Sequence, residues 1–191
     1  MLTILNFIRF MKTYIILLIV FTNLFSVKAQ ISEAKTGPII EAFGKAYSIE
    51  NADLQLNNNT EYKVIFDIYT DNSKKNTINP LLNTVARYLN MHAQQGVLLE
   101  NMKVVVILHG AATKSALSDK AFQKKFITKN PNSNLIKELK KANVEVFVCG
   151  QSYLAKGFKQ SDKSTDVKLA LSALTALVEF QSNGYQLINF N

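Results

Sequence analysis

Val144-Glu145-Val146-Phe147-Val148-Cys149-Gly150-Gln151-Ser152 is an apolar, β-branched run that passes directly into a turn and the first residues of a helix. A short run of Val and Phe bounded by turn residues reads as a buried strand. The same stretch carries the only cysteine of the chain. Its thiol therefore stands at the carboxyl end of a strand and at a helix start. Ligands bind at the first of these places in α/β proteins, and thiols ionise readily at the second.

Working outward, Leu135, Ile136, Leu139 and Ala142 mark an amphipathic helix just before this strand, with Asn143 able to supply its left-handed end. Asn130-Pro131 breaks the chain ahead of it, and Ser118-Asp119 starts a short helix that runs to Phe126. Lys103–Leu108 is almost continuously apolar, as a strand buried on both faces must be, and His109-Gly110 ends it. Tyr62–Tyr69 reads as a first strand. A polar loop follows, and Asn79-Pro80 opens a helix bearing Leu81, Leu82, Val85 and Leu89 that stops at Gly96.

On the carboxyl side, Gln151–Lys156 reads as a short helix closed by Gly157, and Val167–Ala170 as a short strand. Ser172 caps a helix with Leu174, Leu177 and Val178 expected inward, and Tyr185–Phe190 forms a last strand. Strands alternating with helices predict an α/β fold with a parallel sheet covered on both sides. Right-handed crossovers then bring the carboxyl ends of the strands to one edge, where His109 and Cys149 end two strands that approach each other if they are neighbours.

The first 29 residues read as a secretion signal. Arg9 and Lys12 precede the apolar run Tyr14–Phe25, and Val27-Lys28-Ala29 is a small-x-small cleavage pattern. The run is shorter than the roughly 20 apolar residues needed to span a bilayer. The expected product is exported, periplasmic or secreted, with no membrane segment after cleavage. Residues 30–61 form an irregular N-terminal arm and linker, and residues 62–191 one α/β domain. The chain carries a net charge of +8, which falls to about +5 when Arg9, Lys12 and Lys28 are removed. The lysines are scattered, with no basic stripe among aromatics, so the pattern argues against nucleic acid. A single cysteine leaves no disulfide to form within an exported chain. Two histidines without an acidic cluster give no metal site.

The candidate catalytic residues are Cys149, as nucleophile, and His109, as its proton partner. Gly110, Gly150, Gln151, Ser152 and Asp71 stand at the same edge as candidate substrate-binding residues, with Gly150 read as leaving room for a substrate. No phosphate-binding glycine loop follows the first strand, and no cofactor is expected.

The segment Val144-Glu-Val-Phe-Val-Cys149-Gly-Gln-Ser-Tyr-Leu-Ala-Lys-Gly157 resembles the segment around the sulfur-bearing cysteine of the DsrE/DsrF-like family. The helix Leu135–Asn143, the Val106-Ile-Leu-His-Gly110 strand end and Asn183-Gly-Tyr-Gln-Leu-Ile188 are similar to exported members, so the likeness spans about residues 62 to 191. It implies a three-layer α/β/α sandwich with a mainly parallel five-stranded sheet. It also implies a homo-oligomer, trimer or hexamer, and a cysteine at position 149 that accepts persulfide sulfur from a donor protein and hands it to an acceptor. The family's known carriers work in the cytoplasm, whereas the first 29 residues of this chain read as an export signal. Two other readings stand beside the carrier: a non-catalytic binding or assembly module with a buried cysteine, and a small-ligand binder at the sheet's carboxyl edge.

Overall fold

Odd- and even-numbered side chains of the central strands point to opposite faces of the sheet, and both sets are apolar. The computed structural model describes Met11 and residues 33–190; the expected signal peptide, Met11 apart, lies outside the described residues. Tyr62–Ile68 (β1), Met102–Leu108 (β2) and Glu145–Cys149 (β3) are joined by the shorter Lys168–Ala170 (β4) and Gln186–Asn189 (β5). The order is β4-β3-β2-β1-β5, and every neighbouring pair is parallel. The sheet is thus wholly parallel and flanked by helices, as the α/β reading requires, with strand limits within a residue or two of those expected.

Even-numbered residues build the main core. Phe66, Ile68, Val104, Val106, Leu108, Val146 and Val148 pack against Leu82, Val85 and Leu89 of Pro80–Gln94 (α1), Phe122 of Asp119–Phe126 (α2) and Leu135, Ile136 and Leu139 of Ser133–Lys141 (α3). Tyr153 of the short helix Gly150–Ala155 (α4) joins them. At about 1.5–3 kcal/mol for each fully buried side chain, this face supplies most of the hydrophobic stabilisation. Odd-numbered residues form a smaller cluster, Ile65, Val105, Ile107 and Cys149, under Ala173 and Ala176 of Ala173–Ser182 (α5).

The helix limits follow from local chemistry. Asn79 Oδ1 accepts the Leu81 N–H at 2.9 Å with Pro80 at the first helical position, and Ser118 Oγ accepts the Ala121 N–H at 3.3 Å. Asn143 takes the left-handed conformation, φ +60°, after α3. One expectation is overturned in part in α5: Leu177 packs inward as expected, but Leu174 and Val178 are exposed, at 78% and 65%, and Ala173 and Ala176 face the sheet in their place. Small residues let the helix approach the strands closely, and in a helix apolar on several sides the sequence does not mark which side goes in.

Residues 33–61 contain little regular structure. A backbone bridge joins Lys35 to Ala46, and Ile40 enters the main core. One fully buried side chain of α1 ties this segment down. Asn90 Oδ1 accepts the N–H groups of Ile39 at 3.2 Å and Ile40 at 2.8 Å. Its Nδ2 donates to the carbonyls of Ile40, Phe43 and Gly44 at 2.9–3.1 Å. Asn90→Ala strands several buried backbone groups at once, each costing about 1–3 kcal/mol when unsatisfied. We expect urea denaturation of the variant to show a loss of about 2–4 kcal/mol; a loss below about 0.5 kcal/mol would mean that the arm is held by packing alone.

Candidate functional site

Cys149 is at once the last residue of β3 and the cap of α4. Its backbone is extended, φ −63° and ψ 113°, and its side chain takes the capping place usually given to Ser, Asn or Asp. Sγ accepts the Ser152 N–H at 3.4 Å. Burial pushes the thiol up. Against it, Ser152 hydrogen bonds, together with backbone N–H groups of Ala173 and Gln151, push it down, and the net result lies below the ordinary thiol value. The sulfur therefore sits between two helix starts, those of α4 and α5, where unpaired N–H groups favour negative charge. The sign for stability follows. Ionised Cys149 favours the folded chain, a contribution that is full above the unfolded thiol pKa and is lost as pH falls through the folded one.

The thiol is also enclosed. Cys149 is 4% exposed and packs with Ile65, Val105, Ile107, Ala173 and Ala176. Gly150 does not leave space for a substrate. A Cβ there would meet the Ala170 carbonyl oxygen at 2.8 Å and that of Leu171 at 3.2 Å, so the chain's own β4–α5 connection fills the room. Gln151 is exposed and Ser152 half-buried; Ser152 acts on the sulfur through its hydroxyl and its backbone N–H, Gln151 through its backbone N–H.

β2 and β3 are neighbours, with Leu108 level with Val148, so His109 and Cys149 stand side by side at the strand ends on the α5 face. The His109 ring turns the other way. Its Nε2 lies 2.6 Å from Asp67 Oδ1 on β1, and the ring lies against Tyr69 with centroids 5.0 Å apart. The thiol and the histidine share a row of the sheet without a hydrogen bond between them. Asp67 was not singled out from the sequence, although a carboxylate inside the apolar run Tyr-Lys-Val-Ile-Phe-Asp-Ile was a signal that a partner had to exist.

Gly110 and Asp71 belong to the framework. Gly110 has φ +52°, and a Cβ on it would overlap the Tyr69 ring at 2.4 Å. Asp71, its side chain fully buried, accepts from the Ser73 N–H at 3.0 Å and from the Ser73 and Ser115 hydroxyls, and pairs with Lys114 at 3.3 Å. Asn132 extends this network, donating to Ser115 Oγ at 3.2 Å and accepting the Asn79 N–H at 2.7 Å. Three connections are thereby tied to each other: the loop after β1, the 3₁₀ segment Gly110–Ala116 and the turn before α3. His92, away from this edge, is buried on α1. Burial lowers its pKa, and its Nδ1 is 2.8 Å from the Tyr88 carbonyl oxygen.

α4 carries one polar atom without a partner among the described residues. The Tyr153 hydroxyl is fully buried in the main core, and its ring packs on Phe158 at 5.1 Å. Burial, then the Asp162 charge, pushes its pKa up to about 12.

Residues 63–190 match the model of the DsrE/DsrF-like family. A protein of unknown function from Methanobacterium thermoautotrophicum, MTH1491, has a similar structure, with a TM-score of 0.51 and 20% identity over 68% of this chain and 99% of that one. The ychN protein from E. coli is similar too, with a TM-score of 0.50 and 16% identity over the same shares. At such identities the structural likeness concerns the fold. No curated protein matches the chain.

The orphaned hydroxyl of α4 makes a direct prediction. Tyr153→Phe keeps the ring and removes the unpaired group, so thermal or urea denaturation should show a gain of about 1 kcal/mol. A loss of that size would mean that the hydroxyl has a partner in solution, such as an ordered water.

Proposed function

The chain belongs to the DsrE/DsrF-like family, and from that premise we propose that it is an exported, thiol-based sulfur carrier in which Cys149 takes up and hands on persulfide sulfur. The observation that carries the reading is the sulfur's place between two helix starts, with a pKa held down in spite of burial. Sulfur transfer requires a thiolate nucleophile, and the N–H groups of Ser152, Gln151 and Ala173 supply its counter-charge without a metal or cofactor. The Cys149 thiolate attacks the outer sulfur of a donor persulfide R–S–SH. A new S–S bond forms at Cys149, the donor's S–S bond breaks, and the donor leaves as R–S⁻. An acceptor thiolate reverses the exchange. The family is associated with sulfur relay, and the Arg9/Lys12, apolar and Val27-Lys28-Ala29 pattern supports a carrier that works outside the cytoplasm with donor and acceptor proteins there.

A second reading has one observation behind it. At 4% exposure among apolar neighbours, Cys149 equally suits a cysteine that packs the sheet against α5 and does no chemistry, in a module that binds or assembles.

Incubation of the native chain with a polysulfide donor, followed by intact mass measurement, separates the two. The carrier gains one sulfur atom, loses it to an added thiol, and gains none as Cys149→Ala. A thiol that loads only after denaturation would refute the carrier and leave the packing role.

A further inference from the structure

A cluster of lysines without acidic partners lies where the end of α2 meets the end of α4. On α2, Lys120 and Lys124 stand about one turn apart. Lys125 reaches across to α4, donating to the Lys156 carbonyl at 3.3 Å and lying over the Phe158 ring at 4.4 Å. Lys129 and Lys159 follow in the two adjoining turns. All of these lysines are exposed, and none forms an ion pair among the described residues. Lys140, Lys141 and Lys168, by contrast, meet Asp166, Glu138 and Glu145. From Lys120 to Lys137, and from Val146 to Ser161, there is no acidic residue. The carboxylates at the border are engaged within the chain: Asp119 accepts from the Ser133 hydroxyl at 2.6 Å, and Asp162 from the Lys159 N–H at 3.4 Å.

Between Lys125 and Lys129 stands Ile127. It closes α2 in the left-handed conformation, φ +66°, its N–H donating to the Gln123 carbonyl at 2.9 Å. Gly96 and Asn143 hold such positions after α1 and α3 at little cost, whereas a β-branched side chain is strained there. The chain nevertheless keeps an isoleucine at this point, 91% exposed, and Leu154 of α4 is 51% exposed. A residue that breaks two local rules at once marks a surface shaped by something other than stability.

We propose that this face docks peripherally on a lipid bilayer that displays anionic phospholipid, with the lysines at the headgroup phosphates and Ile127 entering the interface. The basic cluster contains no arginine, which suits a diffuse layer of negative charge rather than one carboxylate or phosphate gripped by a planar fork. Lysine is depleted from the core of protein–protein interfaces, whereas lysines around an exposed aliphatic side chain are the composition of a membrane-surface contact. Each lysine adds attraction within a Debye length of such a surface. The long stems keep the ammonium groups at the headgroups while the isoleucine goes deeper. Docking of this kind needs no spanning segment, and among the described residues no helix is long and apolar enough to cross a membrane. It does not depend on the chemistry of Cys149.

Co-sedimentation of the full chain with phosphatidylcholine vesicles, with and without phosphatidylglycerol, tests the proposal. The wild type is compared with the patch reversal Lys120→Glu/Lys124→Glu/Lys156→Glu and with Ile127→Gly. A matched control reverses three exposed lysines elsewhere, Lys35→Glu/Lys45→Glu/Lys75→Glu. Residues 1–29 are common to all four chains, so whatever they add is shared, and circular dichroism verifies that each variant is folded. The wild type should bind the phosphatidylglycerol vesicles and be released by salt. The patch reversal should weaken that binding about tenfold or more beyond the matched control. Ile127→Gly should be at least as stable to urea as the wild type and yet bind these vesicles more weakly. A wild type that does not distinguish the two kinds of vesicle overturns the proposal. So do patch and control reversals that bind alike, and so does an Ile127→Gly chain that binds undiminished. Retention of the wild type on immobilised polyglutamate, with vesicle binding that the patch reversal leaves unchanged, overturns it in favour of an acidic protein partner.

Discussion

Parallel pairing of β1 with β2 over seven residues, continued by β3, is the constraint from which the rest of the structure follows. Parallel strands carry apolar side chains on both faces, so both faces must be kept from water. The chain meets this unequally. Three helices and Tyr153 of α4 seal the even-numbered face; among the described residues one helix covers the odd-numbered one, burying Ala173 and Ala176 with Leu177 and Phe180 packed beside them. Parallel strands also end together. Asp67, His109 and Cys149, far apart in sequence, therefore come to one end and one face of the sheet.

At that edge two effects compete for the thiol. Enclosure by Ile65, Val105, Ile107 and two alanines disfavours a thiolate, and N–H groups from two helix starts favour it. The hydrogen bonds prevail because the strand ends in the capping residue itself, with no linker between sheet and helix. The price is access, since Gly150 is pressed against the backbone of Ala170 and Leu171. Any reagent that reaches the sulfur must come past the first turn of α5 or the connection before it.

Much of this was legible in the sequence, because it rests on local pattern. The apolar runs of β1, β2 and β3, the Asn79-Pro80 helix start and the ends at Gly96, Asn143 and Gly157 each state their own conformation. What depends on distant residues was not. The tight fit at Gly150 comes from carbonyls some twenty residues later. The Asp67–His109 pair needs the β1–β2 register. The Asn90 clamp joins a helix to an arm with no periodicity of its own. In α5 the inward placement holds for Leu177 but not for Leu174 and Val178, since Ala-Leu-Thr-Ala-Leu-Val offers apolar residues on several sides and only the strands below select among them.

The claim that most needs testing is that the fold lowers the pKa of its one thiol despite burying it. Titration of the native chain by the ultraviolet absorbance of the thiolate, with Cys149→Ser as blank, tests it directly. The account predicts a midpoint below that of a free cysteine titrated under the same conditions. A midpoint at or above that value would mean that enclosure outweighs the helix-start N–H groups, and would contradict the account.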